Sequence, residues 1–118
     1  MNNQLKIVIT SLILVTMFSA CSLTSQTTIK PKDSFVLGDN KHGSFHVALK
    51  NISKQEIEVY KAPIDGGTHS YQIVKPKKSV KVSVDRNTAL VISNKSSDTV
   101  DVQLKVTGDT GLSMGYKN

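Results

Sequence analysis

The chain has 118 residues, with 15 Lys and Arg against 9 Asp and Glu, a formal net charge of +6 and a single cysteine. That length fits one small domain and not two, and one cysteine excludes an internal disulfide framework. The positive balance favours anionic surfaces over a basic target protein, while the lack of a basic stripe interleaved with aromatic residues argues against nucleic acid as a partner.

Residues 1–6 are polar with one cation, residues 7–18 are almost all apolar, and Ser19 and Ala20 are small. This is the layout of an export signal cut after small residues. An apolar run of about a dozen residues falls short of the roughly 20 that a transmembrane helix needs. The next residue, Cys21, is the one thiol of the chain and has no internal partner. The run Phe18-Ser19-Ala20-Cys21 resembles the lipobox of bacterial lipoproteins, with Phe18 in the position that leucine usually holds. The resemblance implies that residues 1–20 are a lipoprotein signal peptide. It also implies that Cys21 carries a diacylglyceryl group and a further acyl chain such as palmitate, and that this lipid holds the protein on a membrane. Two or more chains anchor stably where one is marginal. Ser22 stands where aspartate would favour the inner membrane in the Gram-negative sorting rule, so the resemblance implies a cell-envelope address, at the periplasmic face of the outer membrane if the organism has one.

Residues 21–33 are then read as the lipidated cysteine and a polar tether without helical period, and residues 34–118 as the folded domain. Beyond residue 44 the dominant signal is alternation. Phe45, Val47 and Leu49 alternate with His46, Ala48 and Lys50, and Ile57 and Val59, then Val80, Val82 and Val84, then Val100, Val102, Leu104 and Val106 alternate with polar neighbours. Period two over many segments means half-buried strands. The continuous run Leu90-Val91-Ile92 reads as a central strand, and turn-forming Gly, Asn, Asp and Pro punctuate the segments. The expected core holds Phe45, Val47, Leu49, Ile57, Val59, Val82, Ile92, Val102 and Leu104.

An internal echo accompanies the alternation. Leu49-Lys50-Asn51-Ile52-Ser53 with Ile57-Glu58-Val59 recurs as Ile92-Ser93-Asn94-Lys95-Ser96 with Val100-Asp101-Val102, an offset of 43 positions. Each copy reads as a strand, an Asn-x-Ser turn and a return strand, in which the Asn side chain caps the reversal. These units resemble the hairpins of immunoglobulin-like envelope domains. The expected fold is all-β, an antiparallel immunoglobulin-like β-sandwich of seven or eight short strands.

Several constellations could carry chemistry. Asp109-Thr110-Gly111 matches the tripeptide of aspartic proteases, but Thr107 and Gly108 precede it and too little chain follows, so a Gly-Asp turn is the better reading. In an extended segment His42 and His46 lie about 13 Å apart, too far to share one metal, and His69 is distant in sequence. No metal site and no cofactor are expected. Neither a His-Glu-x-x-His nor a Gly-x-Ser-x-Gly motif is present, so the expectation is a protein that is not an enzyme.

Two surfaces remain as binding candidates. Lys75, Lys77, Lys78 and Lys81 form the densest charge cluster, suited either to guarding an edge strand or to contacting lipid phosphate or an anionic glycan. In the last segment Leu112, Met114 and Tyr116 alternate with Gly111, Ser113 and Gly115. That segment reads as a final strand with a nearly bare face, where a partner's backbone can approach. The function expected is a membrane-anchored, non-catalytic binding or structural module that docks an envelope protein or glycan. The alternative is an inhibitor or immunity-type lipoprotein that blocks an enzyme through its loops at residues 38–43 and 63–67.

Overall fold

Alternation of apolar and polar side chains builds nine strands among residues 22–117, the part of the chain that the computed structural model describes. The expected signal segment, residues 1–20, and Cys21 lie outside the described residues. The strands are β1 (Ser22–Ile29), β2 (Ser34–Leu37), β3 (Phe45–Asn51), β4 (Ile57–Pro63), β5 (His69–Val74), β6 (Ser79–Val84), β7 (Thr88–Ser93), β8 (Val100–Gly108) and β9 (Met114–Tyr116). They form two antiparallel sheets, one of order β1-β8-β3-β6 and one of order β5-β4-β7-β2-β9. The inward residues of both sheets make one core, including all nine expected members. β7 is buried along its whole length and lies between β4 and β2 in its sheet.

The β-sandwich is as expected, but its wiring is not that of an immunoglobulin-like domain, and there are nine strands among the described residues, not seven or eight. Apart from the β4-β5 hairpin, consecutive strands lie in opposite sheets. This is the arrangement of a jelly roll, two interleaved Greek keys. The two Asn-x-Ser turns therefore do not close hairpins. One carries the chain from β3 to β4 and the other from β7 to β8, each time from one sheet to the other.

The polar tether is a second correction. Ser22–Ile29 pairs with β8 along its full length, from Ser22 opposite Thr107 to Ile29 opposite Val100. The inward side of β1 carries Leu23, Ser25, Thr27 and Ile29, and the Ser25 and Thr27 hydroxyls bond to each other at 3.2 Å. Polar groups on the core side are tolerated there because each supplies the other's partner.

The fold contains its own repeat. Advancing each strand number by four turns the order β1-β8-β3-β6 into β5-β4-β7-β2, so a pseudo-twofold exchanges the sheets. The repeat reaches individual atoms. Asn51 Nδ2 donates to Val74 O (3.0 Å) and Gln55 O (2.7 Å), while Asn94 Nδ2 donates to Ile29 O (3.1 Å), Lys30 O (3.1 Å) and Asp98 O (2.7 Å). Each Oδ1 accepts from the serine two residues on, Ser53 or Ser96, through both its N–H and its hydroxyl. Each Asn thus ties the end of the other half's first strand. The strands so tied end in Ile29-Lys30-Pro31-Lys32 and Val74-Lys75-Pro76-Lys77, a second echo. Both turns place a lysine at positive φ, Lys32 at 63° and Lys77 at 66°. Each of these lysines donates through Nζ to the neighbouring Asn-x-Ser turn, to Lys95 O (2.6 Å) and Ile52 O (2.9 Å).

Candidate functional site

The sheet containing β9 presents an apolar outer face. Its register aligns Tyr60, Val91, Val36 and Gly115 in one row across β4, β7, β2 and β9. Tyr71 of β5 stacks on Tyr60, with ring centroids 4.7 Å apart, and Ile73 beside it is 54% exposed. Toward the β4-β5 loop the row opens into a groove of about 390 Å³, floored by Ala62, Ala89 and Val91 and flanked by Ile64 and Met114. The row ends at a bare position, since a Cβ added to Gly115 would meet nothing within 4 Å.

The structure divides the expected bare face. Gly115 lies in β9, an edge strand with β2 on one side. Gly111 and Ser113 lie in the loop before it and are held there. Asn40 Nδ2 donates to Gly111 O (3.1 Å), and Ser113 N donates to Asn40 Oδ1 (2.9 Å). Gly38 N also donates to Ser113 O (2.8 Å). These backbone groups are occupied within the chain, so the expected strand over residues 111–117 shortens to Met114–Tyr116. Tyr116 anchors it by lying edge-on to Phe35 at 5.5 Å and donating its hydroxyl to Thr28 O (2.8 Å) across the gap between the sheets.

The lysines separate as well. Lys75, Lys77 and Lys78 belong to the β5-β6 turn at the end of the sandwich away from Ser22, where Lys78 N closes the turn on Lys75 O (3.1 Å). Lys81 is on the outer face of the other sheet. Its partner across the ladder is Ala48, and Ala48 in turn faces Lys105. Lys50, one step along β3, completes a cationic group that no contiguous sequence run announces.

The histidines do not converge. Buried His42 places Nε2 at 3.0 Å from Gly38 O and 2.9 Å from Thr88 O, and Nδ1 at 2.6 Å from Gly43 O. His46 contacts Ser83 on one outer face and His69 contacts Ser70 in β5 of the other sheet. Among the described residues no three His, Cys, Asp or Glu side chains are grouped to hold a metal ion. Asp109 staples two loops, accepting from Gly43 N (2.6 Å) and Gly111 N (2.8 Å). Those two donors, with the nearby His42 adding to them, hold its carboxyl below the usual carboxylate range.

No protein-family model and no curated protein matches the chain. Among solved structures it is similar to procruciferin, an 11S globulin from Brassica napus, at 10% identity and a TM-score of 0.53, over 80% of this chain and 22% of that one. It is also similar to RmlC from Streptococcus suis, solved in complex with dTDP-D-xylose, at 14% identity and a TM-score of 0.50, over 76% of this chain and 45% of that one. The chain spans less than half the length of either structure. Likeness at these identities shows the fold alone, a two-sheet β-sandwich.

Proposed function

We propose that this chain is a lipoprotein of the cell envelope, anchored through Cys21, whose β-sandwich is a non-catalytic binding module for an extended segment of an envelope protein. The observation that carries the docking half of this reading is the apolar row Tyr60-Val91-Val36 running out to bare Gly115 at a sheet edge. An edge strand offers backbone groups to an incoming strand, and the row gives its side chains an apolar track. The anchor half rests on the lipobox resemblance. Because β1 starts at Ser22, a lipid on Cys21 sets the sandwich directly against the bilayer. The lysine turn then lies about 26 Å away, eight residues at roughly 3.3 Å each. Lys75, Lys77 and Lys78 therefore point away from the headgroups of the anchoring membrane.

The experiment has two readouts. Intact-mass analysis of the protein purified from membranes is expected to show the lipid mass on a chain beginning at Cys21; an unmodified soluble product would refute the anchor. Gly115→Trp is expected to abolish capture of an envelope protein crosslinked to the parent in its native membrane, without lowering Tm, since a Cβ added there has no atom within 4 Å. Capture that survives this substitution would refute the docking edge.

A second reading, the enzyme inhibitor, has one observation of its own. The loop after β4 carries exposed Ile64 above Gly66 and Gly67, around which no atom lies within 4 Å of an added Cβ. The loop at residues 38–43 is instead held down by Asn40 and His42 and does not protrude.

A further inference from the structure

The outer face of the β1-β8-β3-β6 sheet differs from its opposite number in having no large apolar residue. Its two middle rows are Thr24-Lys105-Ala48-Lys81 and Gln26-Gln103-Lys50-Ser79, between the row Ser22-Thr107-His46-Ser83 and the pair Thr28-Asp101. Strand spacing and same-face steps put the three lysine Cα atoms about 8 to 10 Å from one another. Ala48, the smallest side chain of the group, leaves a hollow of about 640 Å³ between them. None of the three lysines forms an ion pair among the described residues. Asp101, the one carboxylate on the strands of this face, stands diagonally across from Lys50, one same-face step beyond Gln103, forms no ion pair with it and accepts the Thr28 hydroxyl.

Protection of a sheet edge does not account for this arrangement. Lysine guards edges, and β6 is an edge, but Lys50 and Lys105 stand on the inner strands β3 and β8. There, three cations around one alanine, none of them in an ion pair among the described residues, repel one another and gain no direct pairing. A ligand that brings negative charge to the hollow removes that cost.

We infer that this face is a second binding site, for an anionic polysaccharide lying across the strands, and that it is independent of the docking edge at Gly115. Lys50, Lys81 and Lys105 take the carboxylate or sulfate groups as point charges. Gln26, Gln103, Thr24 and Ser79 supply amides and hydroxyls for sugar oxygens. A ligand spanning four strands engages all of them, which a single small anion does not. The face has no Phe, Tyr or Trp ring on which a nucleobase could stack, its one imidazole, His46, being hydrogen-bonded to Ser83, and no large apolar side chain to enter a bilayer, the contribution that membrane-surface binding adds to charge.

The test uses the immobilised full chain with polygalacturonate, dextran sulfate, neutral dextran, phosphatidylglycerol nanodiscs and an oligodeoxythymidylate as probes. The parent is expected to bind at least one of the two anionic polysaccharides, more weakly as salt rises, and to ignore neutral dextran. Lys50→Gln/Lys81→Gln/Lys105→Gln is expected to weaken that binding at least tenfold and to flatten its salt dependence. Ala48→Glu, at an exposed position, is expected to do the same with Tm unchanged. Lys75→Gln/Lys78→Gln is expected to bind within twofold of the parent. Failure of the parent to bind either anionic polysaccharide, parent-like binding by the triple variant, or tighter binding of nanodiscs or oligonucleotide would each overturn the assignment.

Discussion

Asn51 and Asn94 do what no other residue type could do in their places. Each is fully buried, and each uses both amide hydrogens and its oxygen at once, donating to carbonyls of two segments while accepting from a serine. The set of partners specifies an amide: a carboxylate of the same shape accepts but cannot donate. Asn94→Asp would leave Ile29 O, Lys30 O and Asp98 O facing a buried charge, and is expected to lower stability by about 3 kcal/mol or more, read from urea unfolding. Asp109 is the converse case, a carboxylate whose value lies in accepting. Its folded pKa is depressed, so its contribution is complete above the ordinary value of 3.8 and is lost as pH falls through the lower folded value. Asp109→Asn should therefore be less stable than the parent at neutral pH, and the two should converge in strong acid. Urea midpoints across the acid range check this; a constant gap would refute it.

Among the elements, the long alternating strands were legible and the short or polar ones were not. β3, β6 and β8 alternate Val, Leu and Phe with polar residues for six or more positions, enough to show period two. β2 has four residues, too few for a period to emerge. β1 hid because its core side mixes Leu23 and Ile29 with Ser25 and Thr27, whose hydroxyls satisfy each other. Its composition reads as a solvated leash although Thr27 and Ile29 are buried. The distinction has a direct check. A chain starting at Lys30 lacks the whole ladder to β8 and is expected to lose cooperative unfolding, whereas a leash could be removed at no cost to Tm. The proposed binding surfaces show the same limit. Gly115 could be singled out from its own strand, but Lys50, Lys81 and Lys105 meet only through the register of three strands, which side-chain alternation does not disclose.

At the scale of the whole molecule, the expected immunoglobulin-like wiring failed at the Asn-x-Ser turns. A turn sequence between two alternating segments is the same whether the chain returns in its own sheet or crosses to the other one. Crossing has a consequence for the pseudo-twofold halves, β1 to β4 and β5 to β8. In both sheets every ladder among these eight strands joins one half to the other, and none lies within a half. Neither half can make a sheet by itself, so residues 22–66 and 67–117 as separate peptides are expected to be unstructured by circular dichroism and to regain the strand signal on mixing. Refolding by either peptide alone would refute this. The same clasp makes the protein a natural candidate for exchange between molecules. With Gly66 and Gly67 at the junction of the halves, two chains that open there and trade partners keep all six of these ladders, and a monomer becomes a dimer without learning a new contact.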